Sequence, residues 1–247
     1  MIANAAKKLI RNRLAQTTFA SSPLSAEWVN QTDLDTLSEI FQLRYKVLVT
    51  DAKTSKRGCL FPPDHFCIKG DEFRDDYDYL PSTGHLLIRH NGRAVASTRI
   101  VNGNHVPLEA EHYICFVRGS LQPFLEDVKN IAEPSRVVAC KSVRGTNVVP
   151  LMYLHSLDWF MRNNVSTVIG MVNTEARPLI EHYSRWSQAK WINDEPFAAD
   201  DFVKGRRLDM CYVPISSSGS KERETMLLTN FAPAFAAYSL MRSPRSR

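Results

Sequence analysis

In "DLDTLSEIFQLRYKVLVTD" the apolar residues Leu34, Leu37, Ile40, Phe41, Tyr45 and Leu48 recur at helical spacing. They predict a helix over Asp33–Asp51 with Asp33 as its cap. The preceding "SSPLSAEW" reads as a linker. From Ala52 to Pro81 no period survives, and the stretch is rich in Asp, Pro and aromatics. A long ordered loop is expected there, of the kind that in compact domains is usually functional or disordered. Two β-rich runs, His85–Arg89 and Ala94–Val101, then flank Asn91-Gly92, the pair preferred in a two-residue hairpin turn. A helix is expected within "GSLQPFLEDVKNI", a strand over Arg136–Cys140, and a long apolar helix in "VVPLMYLHSLDWFMRNN". A buried strand (Val165–Val172), a helix (Thr174–Trp186) and a late strand (Leu208–Ile215) complete the pattern. This order predicts an α/β domain with a mixed sheet, an antiparallel hairpin first and then strands joined by helical crossovers.

At 247 residues, 44% apolar and 23% charged, the chain has the composition of a globular protein able to bury a sizeable core. No uninterrupted apolar run reaches the length of a membrane span. The net charge of +5 suggests nucleic acid until it is located. Lys7, Lys8, Arg11 and Arg13 near the start and Arg242, Arg245 and Arg247 at the end have no acid beside them, so the body between carries −2. Basicity confined to the tails makes nucleic acid an unexpected partner. The first residues lack the apolar core of a secretory signal and read as a loose basic amphipathic arm or as a peripheral membrane contact. Five cysteines without a CxxC favour a reducing, cytoplasmic setting over a disulfide framework. The seven scattered histidines form no legible metal site.

Three segments carry candidate chemistry. Asp75 and Asp78 frame Tyr77 before the hairpin, Arg99 lies on its second strand, and Glu133 and Arg136 enter the next strand. As surface pairs each would contribute at most about 1 kcal/mol. Buried together beside a cleft they would be costly, and more plausibly retained to position a ligand or a proton acceptor.

Arg44 with Val47, "Asp75-x-Tyr-Asp78", "Ser-Thr-Arg99" and "Glu133-x-Ser-Arg136" resemble the signature of acyl-homoserine-lactone synthases. They also resemble N-acyl amino acid synthases and the acyltransferase-like proteins found beside exosortase systems, and the Pro-Leu-Glu of "HVPLEAEHY" fits these two groups better. The resemblance covers Leu34 to Trp186, about 60% of the chain. Homoserine-lactone synthases carry a tryptophan a few residues after the arginine matching Arg44, and "VLVTDAKTSKRG" has none, which leaves the amine acceptor open.

The resemblance implies a GNAT-like acyltransferase fold, α/β with a mixed sheet whose central strands splay apart, over residues 31–215. Residues 1–30 would form an arm and linker, and residues 216–247 a helical extension and basic tail. That extension would wall an acyl pocket or simply pack on the sheet, the commoner role for an apolar helix. The pantetheine arm of the donor, acyl-ACP or acyl-CoA, would lie in the splay, with no permanently bound cofactor. Main-chain N–H groups near Val138 or Ala139 would meet the thioester oxygen. The turn at Arg144, Gly145 and Thr146 would cradle the carrier's phosphate or merely connect strand to helix. Glu133 is the implied base for an amino-acid-like amine, with Arg136, Arg99, Asp75 and Asp78 orienting it and Arg44 closing over the site. Cys140 reads as a small buried apolar residue rather than a nucleophile. The rival readings are acetyl transfer from acetyl-coenzyme A, for which "RGTN" is a poor phosphate loop, and a catalytically silent binder of acyl carriers.

Overall fold

The computed structural model describes residues 24–53, 61, 66–103, 108–110, 130–143, 148–173, 190–191, 197–198 and 207–214. Strand β1 is Leu24–Val29, so the segment read as a linker is instead an edge strand paired antiparallel with the hairpin. Its alternation explains why: Leu24, Ala26 and Trp28 pack on the core while Ser25 and Glu27 face water.

Helix α1, Leu34–Tyr45, starts where its cap predicts, with Asp33 accepting from the Thr36 N–H. At Lys46 the pitch widens into a π-helical stretch, Lys46–Thr50, followed by helical Asp51–Lys53. The expected single helix therefore changes pitch below its midpoint. Val47 and Val49 are buried by that stretch, Val49 against Phe61, Cys67 and Phe73. A small hairpin, β2 (Ile68–Lys69) and β3 (Glu72–Phe73), and a tight helical turn, Asp76–Tyr79, lie in the described part of the expected loop.

Strands β4 (Thr83–His90) and β5 (Arg93–Asn102) form the predicted hairpin, with Asn91 at φ 53° and Gly92 at φ 75°. Two left-handed residues in succession are what a type I′ turn requires. Strand β6 spans Ile131–Ala139, so Glu133 lies inside it rather than at its entry and Cys140 follows it. Helix α2 is Val148–Arg162, and β7 (Thr167–Asn173), β8 (Lys190–Trp191), β9 (Phe197–Ala198) and β10 (Arg207–Pro214) complete the described elements. The helices expected near residues 119–131, 174–186 and 224–240 lie outside the described residues, wholly or nearly so.

The sheet order is β1-β4-β5-β6-β7-β10-β8, with β9 beside β10, and the pairing is antiparallel except between β6 and β7. That parallel pair is registered only at Ile131↔Thr167 and Ala132↔Val168, although both strands continue for several residues. From Glu133 onward β6 and β7 part. Helices α1 and α2 both pack on the sheet, and the main core joins Leu37, Ile40 and Phe41 of α1 to Leu86–Ile88 of the sheet and Leu151 and Met152 of α2.

Candidate active site

The site starts from a local cap. Asp75 Oδ1 accepts from the Tyr77 N–H at 3.0 Å and Asp78 Oδ2 from the Asp75 N–H at 2.9 Å, so the two carboxylates cap one turn reciprocally. That leaves Asp75 Oδ2 and Asp78 Oδ1 directed away from the turn, and both meet arginines. Asp78 Oδ1 accepts from Arg44 Nη1 at 2.7 Å and Arg99 Nη1 at 3.0 Å. Asp75 takes Arg99 Nη1 on Oδ1 and Arg136 Nη2 on Oδ2, the latter at 2.6 Å.

Glu109 completes the circuit. Its Oε2 accepts from Arg99 Nη2 at 2.7 Å and its Oε1 from Arg136 Nη2 at 2.6 Å. Arg99 and Arg136 thus share two carboxylates, Asp75 and Glu109, in a closed ring, and Arg99 Nε also donates to Ser135 Oγ at 2.9 Å. Sequence reasoning missed Glu109 as a site residue, although Pro-Leu-Glu was its visible signal. Missed too was His85, opposite Arg99 across the hairpin, whose ring bridges Arg44 Nη2 at 3.3 Å and the Asp78 carbonyl at 2.9 Å.

A β-bulge makes the ring possible. Ser97 pairs with Val138 and Arg99 with Ser135, so β6 carries one residue more than β5 between these pairs. Arg136 sits in that bulge at φ 52°, a left-handed conformation rare for a residue with a side chain. In a regular strand Glu133 and Arg136, three apart, would face opposite sides of the sheet. The bulge lets both serve one site.

The ring and the Arg44–Asp78 pair joined to it are deeply buried: Arg44, Asp78 and Arg99 are fully enclosed, and Asp75, Glu109 and Arg136 nearly so. Burial opposes the charges of Arg44, Asp75, Asp78, Arg99 and Arg136, and the partners prevail at each of these groups except Arg44. Asp75 and Asp78 are held below the usual carboxylate range against burial, by Arg99 with Arg136 and by Arg44 with Arg99 respectively. Arg99 and Arg136 are raised by their carboxylates despite burial, whereas burial dominates at Arg44 and lowers it. Burial and Arg44 push His85 down to about 4, so the imidazole is neutral and its Nε2–H donates to the Asp78 carbonyl.

Among the described residues three guanidiniums face three carboxylates, and Glu133 is the fourth acid. Among the described residues it forms no ion pair, and both its oxygens accept from the Ala110 N–H, at 3.0 and 3.2 Å. Burial, reinforced by the nearby Glu109, pushes it up to about 8. The expected residues do come together, but Glu133 is held by the Glu109–Ala110 peptide and not directly by Arg136, Arg99, Asp75 or Asp78. Arg44 lies beneath the ring with its guanidinium buried against Asp78 and over the Phe41 ring. Val138 is buried opposite Ser97, and the Cys140 N–H donates to the Val95 carbonyl. Alternation therefore turns the main-chain groups of Ala139 to the edge facing β7, where the strands have parted. Arg144, Gly145 and Thr146 lie outside the described residues.

The sequence matches the N-acyl amino acid synthase FeeM family over residues 39–198. The chain belongs to this family. It is an N-acyltransferase of the GNAT fold. Among solved structures it is similar to FeeM, an N-acyl amino acid synthase from uncultured soil microbes, at 11% identity and TM-score 0.58, covering 81% of this chain and 95% of that one. It is similar also to the CoA-dependent acyl-homoserine lactone synthase BjaI with SAM and isopentyl-CoA, at 15% identity and TM-score 0.56, covering 83% and 90%. An acyl-CoA N-acyltransferase from Pseudomonas aeruginosa aligns at 17% identity and TM-score 0.51, covering 77% and 99%. No curated protein sequence matches. Among the described residues no helix is long and apolar enough to cross a membrane.

Proposed function

We propose that this FeeM-family chain moves a fatty acyl group from an acyl-ACP or acyl-CoA thioester to the amino group of an amino acid or homoserine-type acceptor, with Glu133 as the base. The observation that carries this reading is that Glu133, alone of the cluster's acids among the described residues, pairs with no guanidinium, on the strand where β6 leaves β7. Direct transfer needs no enzyme nucleophile. The acceptor nitrogen attacks the thioester carbonyl carbon, the C–N bond forms, the C–S bond breaks, and the thiol leaves with the carrier. The proton lost by nitrogen passes to the Glu133 carboxylate, directly or through one water, and from there to the departing sulfur, which leaves as the thiol. A carboxyl titrating at about 8 is closer to an amine in proton affinity than an ordinary one, which makes it the stronger base once ionised. In this reading Arg136, Arg99, Asp75 and Asp78 keep the wall of the site rigid, with Arg44 beneath. A main-chain N–H near Val138 or Ala139 meets the thioester oxygen, the alternation of β6 favouring Ala139, and Arg144, Gly145 and Thr146 hold the carrier's phosphate.

The test is mass spectrometry of reactions of the purified chain with acyl-CoA or acyl-ACP and a panel of amino acids and homoserine derivatives. Transfer to an amine, lost in a folded Glu133→Gln variant, is expected. No N-acylated product with either donor would overturn the reading, and full transfer by Glu133→Gln would remove the base.

A further inference from the structure

The Glu109–Ala110 peptide is where the ion-pair ring and the proposed base meet. Upstream of the peptide bond, the Glu109 carboxylate holds Arg99 with one oxygen and Arg136 with the other. Downstream of it, the Ala110 N–H is the donor that both Glu133 oxygens accept. Glu109 is the only residue of the ring whose own backbone leads directly into the group that holds Glu133. It is 4% exposed and Ala110 fully buried, so neither end of this short lever is free to swing into solvent.

We infer that Glu109 is the positioning residue of the site, fixing the Ala110 N–H on Glu133 by clamping Arg99 and Arg136, and facing Glu133 with its carboxylate. This rests on Glu133 being the base of acyl transfer. It assigns Glu109 no contact with the reacting atoms. Two opposed influences then act on Glu133 from one dipeptide: the Ala110 N–H favours its ionised form and the Glu109 carboxylate disfavours it. Among the described residues, the other charged or titratable groups facing it include Arg99 on β5, Arg136 on its own strand, and Tyr77 on the capped turn. Arg99 and Arg136 favour the ionised form of Glu133 and the Glu109 carboxylate opposes them, so removing Glu109's charge removes the opposing influence.

The experiment is a pH titration of the backbone amide resonances of the full chain by NMR. The Ala110 amide is expected to shift with a midpoint near 8, and this titration to vanish in Glu133→Gln. In Glu109→Gln, which removes the charge and keeps the shape, the midpoint is expected to fall by about one pH unit or more. A purely structural role for Glu109 would not move it. A flat Ala110 amide in the wild-type chain, or an unmoved midpoint in a folded Glu109→Gln, overturns the inference. Should Glu109→Gln not fold, Glu109→Asp decides: a midpoint kept within about half a unit supports the role of the charge, and a fall as large as charge removal predicts overturns it. The readout needs no substrate. If these shifts appear while the chain transfers no acyl group, the functional reading fails and the coupling of Glu109 to Glu133 stands.

Discussion

Arg136 reaches Glu109 across 2.6 Å because Arg136 is the bulged residue of its strand. Its left-handed backbone gives up regular pairing so that its guanidinium joins Arg99 around the same two carboxylates. Backbone strain of this kind costs on the order of 1–3 kcal/mol and persists only where the surroundings hold it. Here the surroundings are Asp75 and Glu109. Arg136→Gly relieves the strain but removes the clamp; Arg136→Lys keeps a charge but loses the planar fork. Both variants are expected to lose transfer, and Arg136→Lys also to lose stability in urea unfolding, because one ammonium at the end of a flexible stem does not reproduce the guanidinium's fixed reach to both carboxylates.

The buried ring and the surface pairs predict very different costs. Asp78→Asn keeps the shape of a residue that meets Arg44, Arg99 and the Asp75 N–H, but leaves two buried guanidiniums short of one charge. About 3–5 kcal/mol of stability should be lost. Arg89→Gln breaks the partly exposed pairs to Glu27 and Glu39 and should cost about 1 kcal/mol or less. The pH dependence carries the sign. Asp78 is depressed below the unfolded-state value, so its contribution is present above the ordinary carboxylate range and lost on acidification. The deficit of Asp78→Asn is therefore expected to be constant from pH 5 to 8 and to shrink below about pH 4. Urea unfolding at several pH values measures it.

Much of this arrangement was legible in the sequence, for a physical reason. The hairpin announced itself through Asn91-Gly92, because few residue pairs tolerate two left-handed conformations in succession. Asp75, Asp78, Arg99, Glu133 and Arg136 stand out as acids and bases gathered at the ends of neighbouring strands, and Arg44 through the resemblance alone. The bulge was not legible: nothing in "EPSRVVAC" marks Arg136 as left-handed, and its conformation is imposed by the ring rather than by local preference. Glu109 was visible only as part of a short motif, since it meets its arginines through tertiary contact. Strand β1 reads as a linker in the sequence because six residues with two serines nearby give a weak alternation, which pairing with β4 decides.

Glu133 has the opposite linkage to Asp78. Its folded value of about 8 lies above that of an unfolded glutamate, so the folded state keeps a proton that the unfolded state releases. Its contribution is complete at acid pH and falls as pH rises toward 8. Relative to Glu133→Gln, the wild-type melting temperature should therefore drop by several degrees between about pH 5 and 8 and level off above that. Parallel melting curves across this range would reject the assignment of a buried, proton-retaining carboxyl.

Cys67 lies against the ring, its sulfur 4.0 Å from Arg136 Nη2, yet it is poorly suited to nucleophilic chemistry. Burial pushes its thiol up to about 12 despite the pull of Arg136. The thiolate is the reactive form, so Cys67 should stay unmodified by iodoacetamide in the native protein at pH 8 and react once the chain is unfolded. Peptide mapping by mass spectrometry reads this directly. Native labelling at a rate typical of free cysteine would show that this wall of the site opens.

Gly84 tests how closely helix α2 approaches the sheet. A Cβ built there would lie 2.8 Å from Trp159 Nε1 and 3.2 Å from Trp28 Cζ3, and the two indoles already stand 6.0 Å apart. Gly84→Ala should cost about 1–3 kcal/mol by overpacking, since neither ring can yield without disturbing the other. Gly92→Ala meets nothing within 4 Å but sits at φ 75°, so its cost of about 1 kcal/mol comes from the backbone alone. A smaller ring opposite the strand separates the two origins. Trp159→Phe is expected to recover part of the stability lost in Gly84→Ala and none of that lost in Gly92→Ala. Thermal denaturation of the two double variants reads the difference, and equal recovery in both would exclude close packing as the reason for glycine at position 84.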